Sequence, residues 1–198
     1  MITLSDIYAI QANKEKPGKG KVLVASPFIT EKCFKRSVVY LFEEGEDDTY
    51  IGLVLNKKSG CFLGDIIREI KWLPKIPVYL GGPVGTNRLL YLHCLGNIFT
   101  DSVHIKENIY LGTDLLSVIS YISAGNKIDG YVKFFLGYSG WGAGQLKMEI
   151  ATEGWGVANL QNSDSCLKYD NSLWRKSVIT LGEGYSSWLR IPGSYNYN

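Results

Sequence analysis

The chain has little of what metal and nucleophile centres are usually built from. It carries two histidines and four cysteines. Cys33, Cys61, Cys94 and Cys166 stand far apart, with no CxxC pair among them. A structural zinc site usually draws its ligands from short-spaced pairs, so neither a metal nor a cofactor is expected. No apolar run reaches the roughly 18 residues that a membrane-spanning helix needs. Charge of one sign is lacking too: 21 basic against 19 acidic side chains leave a net +2, without the basic stripe that nucleic-acid binders present. The N-terminal stretch has neither the basic start nor the long apolar core of a secretory signal. The expectation is a cytoplasmic protein with its thiols reduced.

What is present suits one compact domain. The 198 residues, 45% apolar and 20% charged, are enough to bury roughly 70% of the unfolded surface without a covalent or metal staple. Residues 1–21 form a lysine-rich lead-in, in which Ile2, Leu4, Ile7, Tyr8 and Ile10 are expected to make one short amphipathic turn packing on the body. Pro17, Gly18 and Gly20 close it. The body, residues 22–198, opens on the β-type run Val22–Ala25. Runs at 37–43 and 50–56 are apolar on both faces of a period-2 strand, which argues for central strands covered on each side. The acidic residues between them belong on a solvated turn. Shorter β-type pieces fall at 78–80, 89–94, 103–105, 131–136 and 155–158. Helical spacing joins Leu63, Ile66, Ile67 and Ile70, and again Leu115, Val118, Ile119 and Ile122, with Asp114 or Thr113 as the cap and Gly125 as the stop. A last helix is expected over 172–181, ended by Gly182. Strands and helices interleaved so irregularly predict a single α+β domain rather than a βαβ chain.

The segment after the 131–136 strand, GYSGWGAGQLKMEI, invites a phosphate-loop reading. Its glycines give GxGxG, without the spacing of a dinucleotide fingerprint or the Lys-Ser/Thr of a Walker loop. Backbone N–H groups there could hold a small anion, whereas glycines that simply allow positive φ let Trp141 pack on the backbone. Ser139 lies one residue short of a nucleophile elbow. His93 and Cys94 are neighbours on a strand, so they point to opposite faces and cannot act as base and nucleophile together. Cys94 belongs with Leu90 and Leu92 as a buried thiol, and His93 on the other face as a hydrogen-bonded structural histidine. Cys33, flanked by Lys32, Lys35 and Arg36, is the redox candidate, because nearby cations favour the thiolate. Gly81-Gly82-Pro83 is a tight turn. Arg36, Asn56, Arg88 and Gln145 are polar residues beside apolar runs, suited to lining a cleft or to satisfying buried backbone.

Several segments recur together in one order over roughly residues 20–160: Ser26-Pro27, Phe34-x-Arg36-Ser37-Val38, Gly52-Leu53-Val54-Leu55-Asn56, Gly81-Gly82-Pro83-Val84 followed by Leu92-His93, and Gly137-Tyr138-Ser139-Gly140-Trp141 running into Gly144-Gln145-Leu146 and Glu149-Ile150. This ordered set resembles the AlgH/YqgE family of bacterial proteins, whose biochemical role is uncharacterised. The resemblance implies a mostly antiparallel sheet curled into a partly closed barrel and flanked by about four helices, and it favours a helix after Gly144. It implies no reaction and no cofactor, and the family name carries a suggestion of transcriptional regulation. Glu31-Lys32 stands where the family commonly has Asp-Pro, and Lys58-Ser59 where a proline is frequent.

The expected function is a non-catalytic binding or regulatory domain that recognises a protein or a small anionic ligand. Its binding candidates are Arg36, Asn56, Gly81, Gly82, Arg88, His93, Trp141 and Gln145, with arginine and glutamine as donors and tryptophan as an apolar wall. An enzyme acting on an anionic metabolite and a transcriptional regulator are the alternatives. Against the first stands the missing acid or base. Against the second stands the missing basic helix pair.

Overall fold

A computed structural model describes residues 15–70, 72, 75–160, 162–168 and 170–192. The amphipathic turn expected at Ile2, Leu4, Ile7, Tyr8 and Ile10 lies outside them. Ten strands form the frame: β1 (Val22–Ala25), β2 (Val38–Glu44), β3 (Tyr50–Val54), β4 (Lys58–Phe62), β5 (Pro77–Leu80), β6 (Val84–His93), β7 (Val103–Lys106), β8 (Ile109–Gly112), β9 (Val132–Trp141) and β10 (Trp155–Ala158). The helices are α1 (Leu63–Ile66), α2 (Leu115–Ser123), α3 (Gln145–Ala151) and α4 (Leu173–Leu181), with 3-10 turns at Arg68–Ile70, Ser163–Cys166 and Glu183–Arg190. None of the described helices is long and apolar enough to cross a membrane.

The strands run in the order β10-β1-β2-β3-β9-β6-β8-β7, and every neighbouring pair on that path is antiparallel. β5 lies parallel to β9 and antiparallel to β4. The sheet curls into a half-barrel, giving a single α+β domain. Its side chains record the curl. Val22, Tyr40, Leu53, Tyr79, Leu92, Ile105, Ile109, Phe135 and Ala158, drawn from strands along the whole sheet, meet in one inner cluster, which Leu173, Trp174, Val178, Tyr185 and Trp188 fill from the C-terminal segment. The intervening residues supply two separate outer clusters. Leu23, Val39 and Leu41 pack with Trp141, Leu146 and Trp155 on one, and Val78, Tyr91 and Phe134 pack with Leu63, Val118 and Ile122 on the other. The period-2 runs are therefore covered on both faces, as their pattern predicts. The sheet ends approach each other where Lys106 Nζ on β7 donates to Asn159 Oδ1 just beyond β10, 3.4 Å away.

Helix α2 follows its signals closely. The Asp114 carboxylate accepts from the Leu116 and Ser117 backbone N–H groups, and Gly125, at φ 80°, ends the turn that follows. The helix expected through Leu63, Ile66, Ile67 and Ile70 is shorter. It stops after one turn at Ile66, Ile67 is extended (φ −107°, ψ 100°), and a 3-10 turn brings Ile70 back to the core. Gly64 and three β-branched residues in eight positions give a weak helix, and two short turns bury Leu63 and Ile70 equally well.

The largest departure concerns β9. It does not end at Leu136 but runs through the glycine segment to Trp141, so residues 137–141 are strand and not a loop. Both of its sides find partners there, Val84 on β6 and residues 50–52 on β3.

Candidate functional site

The two glycine motifs meet each other. Along the first half of β9 its neighbour is β5; along the second half it is β3. The handover falls at Gly81, whose N–H donates to the Leu136 carbonyl (2.8 Å) and whose own carbonyl accepts from the Val54 N–H (2.8 Å). A Cβ on Gly81 would lie 2.2 Å from the Gly137 carbonyl oxygen, and one on Gly82 2.3 Å from the Tyr138 backbone. Only glycine fits so close a backbone approach. Ser139 Oγ donates to the Gly81 carbonyl at 3.1 Å, so its hydroxyl serves this junction. Gly81 and Gly82 are buried architecture.

The junction aims the end of β9 at α3, and there a polar cluster forms. Trp141 and Trp155 are both buried. Their indole Nε1–H groups donate to the same carboxylate oxygen, Glu149 Oε2, at 2.9 and 2.8 Å. The other oxygen, Oε1, accepts from Gln145 Nε2 at 2.8 Å. Gln145 Oε1 in turn accepts from the Gly142 N–H at 3.1 Å. Gln145 and Glu149 stand four residues apart and share one face of α3, which starts after Gly144 in the left-handed region (φ 70°). The half-buried Phe34 ring completes the cluster, stacked on Trp141 (6.1 Å, 27°) and edge-on to Trp155 (5.3 Å, 79°).

Two cavities flank this wall. One, of about 310 Å³, is lined by Glu31, Phe34, Gln145, Glu149 and Trp155 together with Ile29, Thr152 and Gly154. The other, of about 320 Å³, has Trp141 with Glu43, Tyr50 and Tyr138 among its walls. Neither lining contains a lysine or an arginine.

The remaining sequence candidates do not converge with this pair. Arg36, at φ 53°, directs its guanidinium to the Ile191 carbonyl and lies 4.9 Å over the Trp174 ring, fastening the C-terminal segment. Asn56 ties strand backbones together, accepting from the Val38 N–H at 3.0 Å and donating to the Arg36 carbonyl at 2.9 Å. Arg88 is exposed on β6. His93 is fully buried, with Nδ1 accepting from the Leu95 N–H (3.1 Å), Nε2 against Ser102 Oγ (2.7 Å) and its ring stacked on Tyr110. Burial pushes the imidazole down to about 4. Cys94 is half-buried and packs with Leu90 against the inner cluster, on the face opposite His93. Cys33 is half-buried in the turn before β2. It lies within electrostatic reach of Lys57, whose ammonium is held below its ordinary range first by burial and then by the Arg36 charge. Among the described residues no three histidine, cysteine, aspartate or glutamate side chains gather as metal ligands would. Trp141 and Gln145 are thus the sequence candidates that share a site. The residues missed are Glu149, Trp155, Phe34 and Glu31. The i, i+4 spacing of Gln145 and Glu149 was the available signal.

A curled α+β half-barrel with a carboxylate held between indoles on its outer face is the class of protein these features define. The chain belongs to the AlgH-like family DUF179, whose model matches residues 22–186. It is 41% identical over 194 residues to a UPF0301 protein of Parabacteroides distasonis, covering 97% of each chain, and 39% identical over 194 residues to one of Bacteroides thetaiotaomicron, covering 98% of each. Two solved structures share the fold. The solution structure of the AlgH protein from Pseudomonas aeruginosa matches with TM-score 0.68 and 24% identity, over 92% of this chain and 99% of that one. A crystal structure of a Corynebacterium diphtheriae protein matches with TM-score 0.71 and 21% identity, over 88% and 92%.

Proposed function

We propose that the chain is a non-catalytic binding or regulatory domain, and that it recognises a protein or small molecule at the cavity walled by Phe34, Glu149 and Trp155. The observation that carries this reading is the Glu149 carboxylate, fixed by three neutral donors at the edge of an open cavity. Such preorganisation lowers the ordering cost of binding. Further support comes from the work given to the groups that chemistry would need. The Ser139 hydroxyl serves the Gly81 carbonyl, and His93 is committed to Leu95 and Ser102. The anionic ligand expected from Arg36 loses its clamp, because that guanidinium holds Ile191 and Trp174.

The test follows the indole N–H resonances of uniformly ¹⁵N-labelled protein while a library of small polar fragments is titrated. Ligands of this domain are expected to shift Trp141 and Trp155 together, and Phe34→Ala to abolish the shift while the remaining spectrum is kept. Binders that move other resonances and leave both indoles unmoved would place recognition elsewhere.

A further inference from the structure

We infer that the group received in the Phe34–Glu149–Trp155 cavity is an organic cation, an alkylated guanidinium or ammonium; this rests on the binding reading above and specifies its ligand. Four observations point to it.

The first is charge without a counter-charge. The Glu149 carboxylate is half-buried, and its partners are two indoles and an amide, none of which carries charge. Lys21–Glu15, Lys147–Asp48 and Lys176–Asp170 form ion pairs, and Glu149 is in none of these. A carboxylate withdrawn from water keeps a strong attraction for a cation. The second is the unused acceptor capacity. Oε2 receives two donors, whereas Oε1 receives one, from Gln145, and a carboxylate oxygen offers about two acceptor directions. A guanidinium or ammonium N–H can take the remaining direction.

The third is the wall. Phe34 and Trp155 line the same cavity, and aromatic faces attract cations through their negative quadrupole. Glu31 adds a second carboxylate to the lining, where no lysine or arginine offsets it. The fourth is size. About 310 Å³ lies at the lower end of small-molecule sites, roughly 300–1,000 Å³. That space suits a charged head with a short alkyl stem. Anions would meet two carboxylates and no basic side chain in the lining.

Two sources share this chemistry: a free small cation and an arginine or lysine side chain displayed on a partner. The experiment separates them and uses the full chain. Butylguanidinium, its neutral isostere butylurea, butylammonium and butyrate are titrated separately at low ionic strength, with the Trp141 and Trp155 indole N–H shifts as readout. Each titration is repeated at higher salt. The two cations are expected to bind about tenfold or more tightly than butylurea and to weaken with salt, and butyrate to leave the indoles unmoved. Glu31→Gln, on the exposed rim, is expected to weaken the cations several-fold with the spectrum otherwise unchanged. Glu149→Gln should cut the preference for charge to the several-fold that Glu31 alone supplies. Should that variant fail to fold, the Glu31→Gln result and the guanidinium-to-urea ratio still decide. A capped Gly-Arg-Gly peptide that binds more than tenfold tighter than butylguanidinium assigns the site to a protein side chain; equal affinity assigns it to a free cation. Butylurea or butyrate binding as tightly as the cations, at these same indoles, overturns this inference and leaves the binding reading standing. Indoles unmoved by every probe, and by the fragment library as well, overturn both.

Discussion

The backbone N–H of Leu95 donates to Nδ1 of His93, which therefore must carry a lone pair, and the ring proton sits on Nε2, donating to Ser102 Oγ. Protonation of the imidazole would break the first bond inside a buried, aromatic surround, so geometry and desolvation both hold the pKa down, to about 4. The unfolded chain takes up this proton near pH 6.5 and the folded one only near pH 4. Between those values the unfolded state binds more protons, so stability rises with pH and is lost as pH falls through the window, by about 3 kcal/mol in all. Urea midpoints from pH 4 to 7 should show this slope in the wild type, and His93→Gln, which keeps a donor and an acceptor, should show that much less of it. Parallel slopes would mean that His93 does not titrate as a buried neutral group.

At the scale of elements, β9 is the organiser, and its junction with Gly81 invites a paired substitution. Gly81→Ala places a Cβ 2.2 Å from a backbone oxygen that has nowhere to move; a loss of about 3 kcal/mol is expected. Gly140→Ala, five positions before α3 and exposed, meets nothing nearer than 3.9 Å and should stay within about 0.5 kcal/mol of wild type. Chemical denaturation of the two variants checks both, and equal costs would mean that the junction is not close-packed. The same strand shows where sequence reasoning succeeds and where it stops. Apolar residues on both faces of β2 and β3 foretell strands covered on each side, because period-2 packing is local. The cap at Asp114 and the stop at Gly125 are local as well. The continuation of β9 through Gly137 is not, since glycines look like a loop until β3 and β6 are known to flank them. Trp141 and Gln145 are visible as an aromatic and a polar residue near glycines. Their meeting point at Glu149 needs Trp155 from β10, and that proximity exists only in the folded sheet. Arg36 misleads for the same reason: the Ile191 carbonyl that takes its guanidinium lies 155 residues away.

The curl of the sheet creates an inside, and a charged group, Lys133, is sealed within it. Lys133 alternates with Phe134 along β9 and so shares the inner face with Phe135; it is 1% exposed. Its Nζ donates to the Lys168 carbonyl at 3.0 Å and lies 4.2 Å over the Tyr79 ring. Desolvation lowers the ammonium to about 8, against a smaller opposing pull from Cys166, Asp170 and Asp129. An unfolded lysine keeps its proton to about pH 10.4. From pH 8 to 10 the unfolded state therefore holds more protons, and stability should rise with pH by up to about 3 kcal/mol, a direction opposite to ordinary alkaline denaturation. Buried tyrosines set the upper limit. Burial raises Tyr79 and Tyr91 to about 12 and Tyr40 higher still. Above pH 10 the unfolded tyrosines lose protons that the folded ones keep, so stability then falls. A melting temperature measured from pH 7 to 11 should peak near pH 10. Lys133→Met should flatten the rising limb and leave the falling limb in place, since the burial that raises Tyr40, Tyr79 and Tyr91 is kept by an apolar side chain of similar length. A rising limb that survives Lys133→Met would show that the inner face of the curl does not hold its lysine out of water.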